Sequence, residues 1–93
     1  MSEVSTFCEA LYNFSQKSGY SDAEEYITTK LDFMSNCNKY SEIDSILYNL
    51  DLDKVNIKLV IYLIRELSSI SDKIIMKNEF INRAKDRFGK DKL

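Results

Sequence analysis

The stretch Ile57-Lys58-Leu59-Val60-Ile61-Tyr62-Leu63-Ile64-Arg65-Glu66-Leu67-Ser68-Ser69-Ile70 decides the fold of this chain. Its polar positions Lys58, Tyr62, Arg65, Glu66 and Ser69 recur at i, i+4, i+7, i+8 and i+11, a narrow stripe along a helix. Val and Ile favour strands, so Lys58–Ile64 taken alone also reads as a buried strand. The length of the pattern and the polar stripe favour helix. A helix that is apolar around most of its circumference belongs at the centre of a bundle, with several neighbours packed on it.

The flanking segments carry the same period. Val4, Phe7, Cys8, Leu11 and Phe14 fall on one face of a first helix, and Gly19 marks its stop. Ser21-Asp22-Ala23-Glu24 reads as a capping box that starts a second helix at about Asp22. Its inward face is Ala23, Ile27, Leu31 and Met34, with Tyr26 and Phe33 at the flank, and the polar run Ser35–Lys39 ends it. A third helix from Ser41 to Asn49, capped by Ser41, buries Ile43, Ile46, Leu47 and Leu50. Asp53 or Asn56 caps the apolar helix that follows. After Ser71-Asp72, the segment Lys73-Ile74-Ile75-Met76 reads as a connector tucked against the core. Asn78 then caps a last helix carrying Phe80, Ile81, Ala84 and Phe88, which Gly89 ends. Lys90–Leu93 is expected to fray. The prediction is an all-α fold: residues 1–93 form a single compact bundle of about five short helices with a central, largely apolar fourth helix.

Composition agrees with that architecture. The chain has 93 residues, 44% of them apolar and 30% charged, which suits one globular domain and opposes disorder. It holds no proline and two glycines, too few for the turns of an all-β sandwich. In so small a domain apolar burial only slightly exceeds the cost of ordering the chain, so function is expected on the surface and not in a deep cavity. Met1-Ser2-Glu3-Val4 lacks the basic and apolar regions of a signal peptide. The apolar run Ile57–Leu67 is broken by Lys58 and Arg65 and is too short to span a bilayer. A soluble protein of the reducing cytoplasm, with no membrane partner, is therefore expected. Richness in Ile, Lys, Asn and Tyr is associated with AT-rich coding sequence, as in low-GC bacteria, their phages and other mobile elements.

Catalytic chemistry finds little support. With no histidine the chain lacks the commonest acid–base group and the commonest transition-metal ligand. Cys8 and Cys37 have neither CxxC spacing nor a histidine to activate them, and Cys8 falls on an apolar helix face as a small hydrophobe. A disulfide between the two stays open at this point. Asp51-x-Asp53 resembles the start of a calcium loop, but Val55, Asn56 and Tyr62 stand where later ligands and the turn glycine belong. Helix-end capping is the role expected of Asp44, Asp51 and Asp53. Gly19 and Gly89 stand alone, so no phosphate-binding glycine loop is present. If Gly19 were the turn of a helix-turn-helix, the reading helix would open with Asp22, Glu24 and Glu25, which phosphates repel. No enzymatic activity, no cofactor and no metal are expected.

Charge and tyrosine are the informative features. Residues 1–53 hold ten acidic and three basic side chains, a balance of −7, whereas residues 54–93 hold ten basic and five acidic ones, a balance of +5. Acidic and basic helices lying side by side would absorb this polarity internally, as would the i, i+4 pairs Glu79–Arg83 and Asp86–Lys90. Alternatively the poles steer partners. Six tyrosines occur without tryptophan, with Tyr62 in the polar stripe beside Lys58 and Arg65, and Tyr12 and Tyr48 off their helices' apolar faces. Exposed tyrosine beside arginine is a composition that protein interfaces favour. The leading expectation is a non-catalytic module that binds another protein through Lys58, Tyr62 and Arg65, in the manner of a phage- or mobile-element-encoded inhibitor or a regulatory adaptor. A homo-oligomer joined acidic pole to basic pole is the first alternative. Nucleic-acid binding through the basic residues Lys77, Arg83, Lys85, Arg87, Lys90 and Lys92 is the second.

Overall fold

The computed structural model describes residues 2–17, 19–70 and 72–93; Met1, read as the start of a leaderless chain, and Ser71, read as part of a break, lie outside them, as does Ser18. Among the described residues the chain forms five α-helices and no strand: α1 (Glu3–Ser15), α2 (Ser21–Asn36), α3 (Tyr40–Asn49), α4 (Ile57–Ser68) and α5 (Lys77–Phe88). The strand reading of Lys58–Ile64 gives way to helix α4. Beyond α5, Lys90–Lys92 form a single 3-10 turn.

The 3.6-residue period places the core. Phe7, Cys8 and Leu11 of α1, Ala23, Ile27, Leu31 and Met34 of α2, and Ile43, Ile46 and Leu47 of α3 are buried, with Leu50 just beyond α3. α4 contributes Leu59, Val60, Leu63 and Leu67, and α5 contributes Phe80 and Ala84. α1 packs on α3, while α2 and α5 each pack on both α3 and α4. The short α3 therefore shares the central position with α4. At the edge of α4, Ile57, Ile61 and Ile64 are only half-buried.

Helix starts follow burial more than polar capping. Asn56 caps α4 as expected, its side chain accepting the Lys58 amide at 2.9 Å, and Ser2 caps α1 by accepting the Ser5 amide at 3.1 Å. The capping box at Ser21 does not form: Ser21 lies inside α2, where the Glu24 amide donates to the Tyr20 carbonyl at 2.9 Å. Ser41 likewise falls inside α3, and Asn78 inside α5. Tyr20, Tyr40 and Met76, at these three starts, pack against the core. These partly buried side chains anchor the three starts, and at α5 the Asp44 carboxylate also accepts the Met76 amide.

The remaining connections are specific. Cys8 is buried and Cys37 exposed, and both are free thiols, so no disulfide joins them. Burial, with help from Glu9, pushes the Cys8 thiol up from its ordinary range. Among the described residues of the α4–α5 connector only Ile74 is buried; Ile75 is 81% exposed. Gly89 ends α5 with φ 104°, a backbone conformation that side chains with a Cβ rarely adopt. The loop between α3 and α4 buries Leu52 and Val55 and is held from two sides. From α1, the Tyr12 hydroxyl accepts the Asp51 amide at 2.9 Å and Ser15 Oγ accepts the Asn56 amide at 3.0 Å. From α5, Arg83 donates to the carbonyls of Leu47 at 2.8 Å and Leu50 at 3.0 Å, and Arg87 Nε donates to Asp53 at 2.7 Å. No helix among the described residues is long and apolar enough to cross a membrane.

Candidate partner-binding surface

Helix α4 sets the polar stripe of the sequence along one side of the bundle, next to α2. Lys58, Tyr62 and Arg65 come together there, and with Ile61 and with Glu24 of α2 they line one shallow depression of about 270 Å³. Their roles differ. Tyr62 is half-buried, and its hydroxyl lies 2.6 Å from Thr28 Oγ1, which also hydrogen-bonds the Glu66 carboxylate. Tyr62 and Glu66 thus tie α4 to α2. Lys58 and Arg65 are exposed, and neither has a carboxylate partner among the described residues. The Lys58 ammonium stands 6.0 Å from the Tyr20 ring centroid.

Ile61 and Arg65 also border a second hollow of about 230 Å³, lined further by Ile64, Ile81, Lys92 and Leu93. The stripe therefore runs into an apolar recess between α4, α5 and the C-terminal turn. Sequence reasoning missed this recess because it assigned the α4 isoleucines to the core. The signal available was that Ile61 lies beside Lys58 and Arg65 on the helix, away from Leu59, Leu63 and Leu67.

Two of the basic C-terminal residues have partners within the molecule. Arg83 spends its guanidinium on the carbonyls that end α3, not on Glu79, and Arg87 pairs with Asp53. Lys77 and Lys85 are half-buried and Lys90 is exposed. The acidic cluster is similarly divided. Asp44 accepts the Met76 amide at the start of α5, a capping role served from another helix. Asp51 instead accepts the Asp53 amide within the loop at 3.0 Å. Tyr12 is drawn into that loop, and burial first of all raises its hydroxyl pKa. Tyr48 is 68% exposed.

No family model, curated protein or solved structure matches the chain. The site's geometry is accordingly the basis for assigning a role.

Because Tyr62 is a structural tie, Tyr62→Phe is expected to cost about 0.5–1.5 kcal/mol, the ordinary worth of a hydrogen bond. Lys58→Ala with Arg65→Ala should change stability by no more than about 0.5 kcal/mol per site, as exposed side chains without a carboxylate partner do. Urea denaturation of both variants checks the contrast; equal losses would contradict the division of roles.

Proposed function

We propose that this protein is a non-catalytic binding module that acts in the cytoplasm by occupying another protein through the α4 side of the bundle. One observation carries the reading: Lys58 and Arg65, both without a carboxylate partner among the described residues, flank Ile61 at a depression that continues into an apolar recess. Interfaces are built this way, with apolar surface at the centre and arginine and tyrosine bordering it. An inhibitor encoded by a phage or mobile element, or a regulatory adaptor, suits a module of this size. Nucleic-acid binding is a weaker reading because two of its cations, the half-buried Arg83 and the exposed Arg87, already have partners within the molecule.

The test uses immobilised wild-type protein, the double variant Lys58→Glu/Arg65→Glu and the control Lys17→Glu, each exposed to lysate of the source cells. A partner held by wild type and control should be retained at least about tenfold less by the double variant, since reversed charges at an interface repel. Equal retention by all three would remove this surface from consideration.

A further inference from the structure

The recess between α4, α5 and the C-terminal turn joins apolar walls to unpaired cations. The half-buried Ile61, Ile64 and Ile81 line it with Leu93, together with the exposed Arg65 and Lys92. No Asp or Glu side chain among the described residues lines it. The register of α5 adds two more cations. Lys77 and Lys85 stand four residues to either side of Ile81 and share its face, whereas Glu79, two residues away, lies on the opposite side of the helix. Asp86 borders a separate depression with Arg83 and Arg87. Glu66 is engaged by Thr28, and Asp91 lies beside Gly89. Glu24 approaches Arg65 only from the neighbouring depression of the polar stripe. Arg65, Lys77, Lys85 and Lys92 thus have no carboxylate partner among the described residues.

We propose that this recess takes an acidic amphipathic helix of a partner protein, which inserts one large apolar side chain among the isoleucines and sets carboxylates against Arg65, Lys77, Lys85 and Lys92. The inference rests on the reading of the α4 side as a docking surface and names the chemistry of its partner. At about 230 Å³ the recess is larger than an apolar cavity of about 150 Å³ that holds benzene, so a Leu or Phe side chain can enter it. The spread of the cations selects a chain over a single small anion. Lys77 and Lys85 are eight residues apart on one helix, about 12 Å at about 1.5 Å per residue, more than one carboxylate can span. A helix with acidic residues every three or four positions reaches both ends of that line while its apolar face stays on the recess. A nucleic acid would meet the same cations through its phosphates and leave the isoleucines uncovered.

Fluorescence anisotropy with a labelled synthetic peptide of about 16 residues tests this, leucines at i, i+3, i+4 and i+7 and glutamates between them. A Kd of about 100 µM or tighter is expected in about 50 mM salt, weakening at least about tenfold in about 500 mM. Exchanging the peptide's glutamates for lysine, or its leucines for serine, should each weaken binding at least about tenfold. On the protein, Arg65→Glu/Lys92→Glu, both at exposed positions, should lose at least about tenfold and Lys77→Gln/Lys85→Gln at least about threefold, while Lys17→Glu binds as wild type. Thermal melts confirm that each variant folds. An acidic peptide that does not bind overturns the inference, as does equal binding of the lysine or serine peptide. Tighter binding to a single-stranded oligonucleotide or to phosphatidylglycerol vesicles, lost in Arg65→Glu/Lys92→Glu, overturns it in favour of that ligand, and oligomers without peptide that the same variant abolishes overturn it in favour of a second copy. If the peptide fails while Lys58→Glu/Arg65→Glu still loses a captured partner, the docking surface stands and only the acidic helix is removed.

Discussion

Phe80→Ala should lower the stability of this protein by about 3–5 kcal/mol, the usual loss when a fully buried aromatic ring is truncated. Phe80 is completely buried in the first turn of α5, the helix that leans on both α3 and α4. The only other fully enclosed side chain of α5 is the small Ala84. A helix of 12 residues does not hold its shape in water by propensity alone, so its order depends on that ring. Small domains have about 5–15 kcal/mol in total. The variant should therefore melt at least about 12 °C lower, taking about 4–8 °C per kcal/mol for a chain of this length. Thermal denaturation followed by circular dichroism measures this directly. A loss under about 1 kcal/mol would mean that α5 is anchored by something other than Phe80.

Arg83→Met should follow with a loss of about 3 kcal/mol, two hydrogen bonds to a charged group at the low end of their range. The last carbonyls of a helix have no partner within it, and α3 has no basic residue in its own last turn. Arg83 reaches across from α5 and bonds two carbonyls at that end, Leu47 and Leu50, from a half-buried position. Hydrogen bonds to charged groups are worth about 1.5–3 kcal/mol each, and methionine keeps the apolar stem while removing both. Arg83→Lys should fall between, because an ammonium cannot reproduce the planar fork. The guanidinium also lies 5.9 Å from the Phe80 ring centroid, so the double variant Phe80→Ala/Arg83→Met should lose less than the two single losses together. Urea denaturation of the four proteins tests this. If Arg83→Met stays within about 0.5 kcal/mol of wild type, the cross-helix cap carries no weight.

Residues whose roles depend on neighbours three or four positions away were legible in the sequence. The inward faces of α1, α2 and α3, the cap at Asn56 and the stop at Gly89 all follow from the helical period and from local backbone chemistry. The starts at Ser21, Ser41 and Asn78 were misplaced by one or two residues because Tyr20, Tyr40 and Met76 pack against the core just ahead of them, a contact that no local capping signal carries. The site was half legible. The periodic stripe brought Lys58, Tyr62 and Arg65 to one place, but nothing local distinguished the tied Tyr62 from its free neighbours. Its partner Thr28 is 34 positions away, and the carbonyls that engage Arg83 are 36 and 33 positions away. No spacing rule in a single sequence links residues at such separations.

The doubly held loop between α3 and α4 bears on how the molecule opens. Its amides at Asp51 and Asn56 are bonded to side chains of α1, and its carbonyl and carboxylate at Leu50 and Asp53 to side chains of α5. Neither the first nor the last helix can detach without releasing this segment, so the two ends of the chain are coupled through its middle. Native-state hydrogen exchange of the Asn56 amide, whose bond to Ser15 is partly buried, would then report release of this segment, although it lies outside any helix. The bundle should unfold as one cooperative unit, with no stable fragment lacking α1 or α5.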